Sequence, residues 1–271
     1  MRRWQVVLVA PKEPGNVGGA ARVTKNFGAG GLRVVAPRCE VNGAEARRYS
    51  SGAADLLRAA PVYTSLQEAV ADCEIAVGLT GLGGKHHRLD CIGLVPTDIT
   101  RHCHGVRHGA LVFGREERGL EGDELELCDF LWNLPTDPGF SSLNLVQAVG
   151  IALAGMAEAE RQEGLSDLAL GNAPSGRALN PLAGSPDPGD RPATNDARTR
   201  LLGHTRELLV RTGWTEDRRL RNTLGKLRNV LVRAGATQRE VNLLHGLCRQ
   251  TLLALEGRIA SPDEPDRGRQ S

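Results

Sequence analysis

A-L-V-F-G-R-E-E-R-G-L, running from Ala110 to Leu120, and L-P-T-D-P-G-F-S-S-L-N-L-V-Q-A-V, from Leu134 to Val149, decide how this chain folds. Each opens on an apolar run that reads as the end of a buried strand. Each then breaks in a Gly- or Pro-rich loop and continues into a helical pattern. In open α/β sheets, ligands bind in loops at the carboxyl ends of strands. These two loops carry an uncommon polar set: Arg115, Glu116, Ser142 and Asn144.

The same alternation extends outward. Gln5–Ala10 is a β-branched run ended by Pro11 and Pro14, and Val17–Phe27 reads as a helix stopped at Gly28. Leu32–Ala36, Val62–Tyr63, Ile75–Leu79, Ala110–Phe113 and Phe130–Leu134 read as strands. Ala53–Ala60 and Leu66–Asp72 read as short helices, and Ser142–Arg161 as a long one. Nearly all-apolar strands alternating with helices predict an α/β fold with a mostly parallel sheet covered on both faces.

Composition shifts after Arg161. Five of the fourteen prolines fall between Pro174 and Pro192, so residues 163–197 read as an extended linker. Three helix patterns follow, Arg198–Arg211, Glu216–Ala234 and Gln238–Ile259, with a capping box opening the third at Thr237 and Glu240. The second helix places Leu220, Leu224, Leu227, Val230 and Leu231 on one face and leaves Arg218, Arg221 and Arg228 mainly off it. The expected organisation is an α/β domain over 1–162, the linker, a small all-α domain over 198–260, and a polar, disordered tail over 261–271.

Net charge is +2, unevenly spread. Residues 1–160 hold 16 Lys+Arg against 19 Asp+Glu, whereas residues 198–260 hold 13 against 5, twelve of the thirteen being Arg. A concentrated basic segment, nearly all Arg, is the footprint expected for phosphate contact, with a solvated helical surface as the alternative. No apolar run is long enough to span a membrane, and the N-terminus lacks the apolar region of a signal peptide. The six cysteines form no C-x-x-C pair and read as reduced thiols, which points to the cytoplasm. The cluster His86, His87, His102, Cys103, His104 and His108 matches no standard zinc spacing, so no metal is expected. The loop Gly81-Leu82-Gly83-Gly84-Lys85 fails as a phosphate-binding P-loop, because its glycine spacing is wrong and Lys85 is followed by His86.

Three motifs carry the chemistry. In Pro14–Arg22, small residues open a helix whose free N–H groups favour an anion, and Asn16 sits where an N-cap belongs. In Gly114–Leu120, Gly114 lets the backbone turn sharply off its strand, and the charges of Arg115 and Glu116 follow. In Ser141–Leu145, Ser142 and Asn144 flank a helix start, where they also make an ordinary cap.

In order and spacing these motifs resemble those of the SPOUT class of RNA 2′-O-methyltransferases, and within it the TrmJ-like tRNA methyltransferases. The resemblance covers roughly residues 4–160, and more loosely 198–256. It implies a parallel-sheet domain with a C-terminal trefoil knot and S-adenosylmethionine as methyl donor, held by three loops. By position those loops contribute Leu79, Thr80, Gly81, Phe113, Gly114, Arg115, Glu116, Leu134, Thr136, Ser142 and Leu143. It implies Arg22, Asn16, Glu116, Ser142 and Asn144 as the residues around the reacting ribose, and a homodimer in which Arg22 acts across the interface. It also implies tRNA as substrate, methylated at position 32 of the anticodon loop. Candidate RNA contacts are Lys85, Arg88, Arg218, Arg221 and Arg228. A ribosomal RNA methyltransferase of the same class and a catalytically silent RNA-binding protein with this fold are the competing readings.

Overall fold

The structure, a computed structural model, describes residues 1–81, 96–102, 105–137, 139–164, 189, 191–214 and 217–256. The chain divides into a first unit, Met1–Asp187 with Thr194–Asp196, and a second, Pro188–Ala193 with Ala197–Ser271.

In the first unit, strands β1 (Trp4–Val9), β2 (Gly31–Val35), β3 (Val62–Tyr63), β4 (Ile75–Thr80), β5 (Gly109–Phe113) and β6 (Phe130–Asn133) form one sheet in the order β3-β2-β1-β5-β4-β6. Every pairing is parallel, with Val6 held between Leu32 and Leu111. The strands are mostly apolar because helices cover both faces, and β5 is buried at every position. The chain runs outward from β1 to β3, then doubles back. β5 lies inside β4, and β6 passes over to the far edge beside β4. The carboxyl ends of β4, β5 and β6 therefore stand side by side.

The helices of this unit are α1 (Pro14–Asn26), α2 (Ala44–Ser50), α3 (Ala54–Ala59), α4 (Leu66–Ala69), α5 (Pro96–His102), α6 (Gly122–Glu126) and α7 (Leu145–Gln162). Two differ from expectation where the site is built. α1 begins at Pro14, which supplies the fixed φ of a first helical position, so Asn16 lies inside the first turn and Glu13 is the N-cap residue. α7 begins at Leu145, because Asn144 caps it by accepting from Val146 N (2.8 Å) while Gln147 reaches back to Asn144 N (3.2 Å). Ser142 is thus in the loop, not in the helix.

α1 and α7 pack closely. A Cβ at Gly19 would lie 2.7 Å from Val146 Cγ2, so only glycine admits this approach without displacing Val146. At its far end α7 is anchored by Glu160, which is 2% exposed and accepts from Arg3 Nε (2.8 Å) and Trp4 Nε1 (2.9 Å) at the start of β1. A buried carboxylate is tolerated there because these donors and the Met1 amine (2.6 Å) satisfy it.

The second unit contributes helices α8 (Asn195–Arg211), α9 (Asp217–Arg233) and α10 (Gln238–Leu255). Its core gathers Ala193, Ala197, Leu201, Leu231, Ala236 and Val241, with Leu227 and Cys248 packed against them. The capping box at Thr237 and Glu240 forms as read from the sequence. The face of α9 differs. Val230 is 49% exposed and Arg228 only 5%, so Arg228 does not face solvent. Arg228 follows Leu224 by four residues and precedes Leu231 by three, the neighbour spacings of a helix, which place it on the buried stripe.

Candidate active site

The site starts from a hydrogen-bond chain that joins the three motifs. The N–H of Val146 can only donate, so it fixes Asn144 Oδ1 toward itself. Asn144 Nδ2 then points outward and donates to Asn16 Oδ1 (3.1 Å). That leaves Asn16 Nδ2 to donate to Glu116 Oε1 (2.9 Å). Asn16 therefore does not cap α1, as its position suggested. No side chain caps this helix; the Glu116 carboxylate instead also accepts from Lys12 N (3.3 Å) and Glu13 N (3.4 Å), the residues that lead into it. One carboxylate and two amides thus link the loop after β5 to the starts of α1 and α7.

The loop after β5 is built to hold Glu116. Arg115 and Gly119 exchange backbone hydrogen bonds (3.1 and 2.9 Å), and Gly119 takes the left-handed φ of +68° that closes the turn. Gly114 is required for a different reason than a sharp turn. A Cβ there would lie 2.0 Å from the Gly119 carbonyl carbon and 2.2 Å from Leu120 N, so the returning backbone occupies the space of a side chain. The Arg115 guanidinium is clamped by Glu124 through two 2.9 Å bonds, and Glu124 also accepts from Glu121 N (2.8 Å). That bidentate partner raises the Arg115 pKa above its ordinary value. Arg115 thereby ties the loop to α6. Glu124 went unnoticed in the sequence, although Glu121-x-x-Glu124 ahead of Leu125 has the spacing of a helix start.

Beside Glu116 opens a cavity of about 410 Å³ at the ends of β4, β5 and β6. Every residue expected around the methyl donor lines it: Leu79, Thr80 and Gly81 from β4, and Phe113, Gly114, Arg115 and Glu116 from β5. Leu134, Thr136, Ser142 and Leu143 follow from the segment after β6. The Thr80 hydroxyl is bound to the Asn133 side-chain oxygen, which joins two of these walls. The Thr136 hydroxyl is buried and has no hydrogen-bond partner among the described residues. A buried hydroxyl left unsatisfied in this way is a polar point at which a ligand can bind.

Arg22 is not brought into this cluster. It is exposed, lines no part of the cavity, and makes no hydrogen bond or ion pair with a described residue. Lys85 and Arg88 lie outside the described residues, as do most of the histidines near them. Arg218 lies within α9, with its side chain outside the description, and Arg221 is exposed. Among the described residues no group of three or more His, Cys, Asp or Glu could hold a metal ion, and no helix is long and apolar enough to cross a membrane.

A doubled-back parallel sheet carries loops that converge on one cavity, with the Glu116–Asn16–Asn144 chain bonded beside it. Residues 3–154 match the model of the SpoU rRNA methylase family, and the chain belongs to that family. It is 31% identical over 267 residues to the tRNA (cytidine/uridine/adenosine-2′-O-)-methyltransferase TrmJ of Pseudomonas aeruginosa, covering 94% of this chain and 96% of that one. It is 34% identical over 149 residues to the tRNA (cytidine-2′-O-)-methyltransferase TrmJ of Methanocaldococcus jannaschii, covering 55% and 64%. The crystal structure of TrmJ from Z. mobilis superposes with a TM-score of 0.70 at 27% identity, over 92% of this chain and 98% of that one.

Proposed function

We propose that the protein methylates a ribose 2′-oxygen of tRNA, at a cytidine or uridine in position 32 of the anticodon loop, with S-adenosylmethionine as donor. The observation that carries this reading is the Glu116–Asn16–Asn144 chain at the mouth of the cavity lined by all three loops. The near full-length match to a tRNA 2′-O-methyltransferase from P. aeruginosa supports tRNA over ribosomal RNA.

The cavity fits the donor. Its volume lies in the range of small-molecule sites, its walls mix apolar side chains with backbone groups, and Thr136 offers an unused hydroxyl. When bound, S-adenosylmethionine supplies an electrophilic methyl group. The chain supplies orientation and charge placement. Glu116 is held by Asn16 and the backbone amides of Lys12 and Glu13, leaving little freedom to move. Ser142 and Asn144 border the approach to the cavity. Arg22 stands free of every described partner, which supports a role toward a second copy of the chain in a homodimer, where it polarises the attacking hydroxyl. Arg218 and Arg221 of the second unit bind tRNA phosphates, whereas the buried Arg228 takes no part, and the reaction takes place in the cytoplasm. The segment from Leu134 to Asn144, beyond the strand that crosses to the far edge, completes a trefoil knot.

The test is methyl transfer from labelled donor to an unmodified tRNA transcript, with the unaltered protein and Arg22→Ala compared. Transfer by the first and loss of turnover in the second, with donor affinity retained, is the expected result. Normal turnover in the variant removes Arg22 from the reaction.

A further inference from the structure

A second, smaller concavity of about 190 Å³ lies on the other side of Glu116, bordered by the loops that follow β1, β2 and β5. Four cations and three carboxylates line it, and the carboxylates are all engaged. Glu116 accepts from Asn16 and the backbone of Lys12 and Glu13, Glu117 pairs with Lys12 (2.8 Å), and Glu121 faces Arg115 at 3.7 Å. Arg115 is further committed to Glu124. Two guanidiniums remain, Arg38 and Arg118. Both are exposed, and neither makes a hydrogen bond or ion pair with a described residue.

Their placement is fixed by the fold. Ala10 and Ala36, the residues that follow β1 and β2, take left-handed φ values of 48° and 42°, which non-glycine residues rarely adopt. Such strain persists only where surrounding contacts impose it. Here the contacts are backbone bonds that extend the sheet past its ends: Ala10 N to Val35 O (2.7 Å) and Ala36 N to Tyr63 O (2.9 Å). Arg38 N then donates to Pro11 O (2.9 Å), tying the loop that carries Arg38 to the loop that carries Lys12. Arg118 projects from the turn closed by Arg115 and Gly119.

We infer that this concavity seats a phosphodiester of the RNA substrate beside the target nucleotide, with Arg38 and Arg118 as its two binding forks. The inference rests on the RNA methyl transfer proposed above. Every ribose in RNA carries a phosphate on each side, so a 2′-oxygen brought to the mouth of the larger cavity brings a phosphate alongside. Glu116 and its turn form the wall common to both cavities. Guanidinium matches the paired oxygens of a phosphate, and two that make no hydrogen bond or close ion pair among the described residues, only the longer-range attraction of Glu117, bind one without first breaking such a contact. Lys12, in an exposed pair with Glu117, adds charge at the rim.

The experiment uses the full chain with Arg38→Ala, Arg118→Ala, the double variant and the double Arg→Lys variant. Affinity for an unmodified tRNA transcript is measured across salt concentrations, alongside calorimetric affinity for S-adenosylmethionine. The expected result is weaker RNA binding, a salt dependence whose slope falls by about one for each arginine removed, and unchanged donor affinity in Arg38→Ala, whose side chain lines the smaller concavity and not the larger. The lysine variant recovers the salt slope because charge is kept, while affinity stays below the parent because the fork is lost. An unchanged salt slope in the double alanine variant overturns the inference. RNA binding is read whether or not methyl transfer occurs, so failure of the proposed reaction shows separately, as a parent protein that methylates no RNA.

Discussion

Replacing Glu116 by Gln removes one charge and almost no volume, and the effect follows from what surrounds the carboxylate. All its polar neighbours are donors: Asn16 Nδ2 at 2.9 Å, Lys12 N at 3.3 Å and Glu13 N at 3.4 Å. A glutamine satisfies one of them through its carbonyl and turns its NH2 group against the others. The short bond to Asn16 falls from charge-assisted to neutral, a loss of about 1 kcal/mol. The anion at the amino end of α1 is lost as well, another ~0.5–1 kcal/mol. Together these amount to about 2 kcal/mol, or roughly 30-fold in kcat/KM. Steady-state kinetics on a tRNA transcript measures it, with donor affinity taken separately by calorimetry. The effect is expected in methyl transfer, with donor affinity changed by no more than a fewfold. A double variant with Asn16→Ala loses less than the sum of the single losses, because the two residues share one bond. Glu116→Gln within twofold of the parent, or strictly additive losses, refutes the argument that this chain of bonds sets the site.

Three further outcomes follow from single features. Gly114→Ala places a Cβ 2.0 Å from the Gly119 backbone, so the loop must shift; donor affinity should fall at least tenfold, checked by calorimetry, with a stability loss of about 1–3 kcal/mol in denaturant melts. Thr136→Val removes a buried hydroxyl that has no partner among the described residues; the ligand-free protein should become more stable by about 1 kcal/mol in denaturant melts while donor binding weakens, opposite signs that a packing defect would not give. Burial raises the Glu160 pKa, but its bonds to the N-terminal amine and Trp4 and the charge of Arg3 outweigh that and hold it below the ordinary glutamate value. A depressed carboxylate adds stability above its unfolded pKa and loses it as pH falls through the folded one. Acid melts should therefore show a loss beginning below about pH 4.5 that is absent in Glu160→Gln.

The strands were legible because a parallel sheet covered on both faces leaves its strands uniformly apolar, and Val62–Tyr63 was found even as a two-residue run. The sheet order was not, since nothing in local pattern tells β5 to insert between β1 and β4. Around the site, the loops that meet at the larger cavity could be named from their motifs, but their mutual bonds could not. Asn16 has the side chain of a cap, yet Pro14 two residues earlier marks the true helix start and frees Asn16 to reach Glu116. The N-x-x-Q pattern of Asn144 and Gln147 held the boundary of α7 in plain view. Arg228 misled because charge suggests exposure, whereas its spacing from Leu224 and Leu231 places it inside. Short helices such as α2 and α6 are too brief to show a period. Arg38 lies in a loop with no pattern at all, and only the fold brings it beside Glu116.

The most direct test of the account is nucleoside mass spectrometry on unmodified tRNA transcripts incubated with the protein and S-adenosylmethionine. A 2′-O-methylated pyrimidine nucleoside, mapped by fragmentation to position 32 of the anticodon loop, is the predicted result. Donor binding without any methylated nucleoside in tRNA, and with methylation of ribosomal RNA instead, would contradict it.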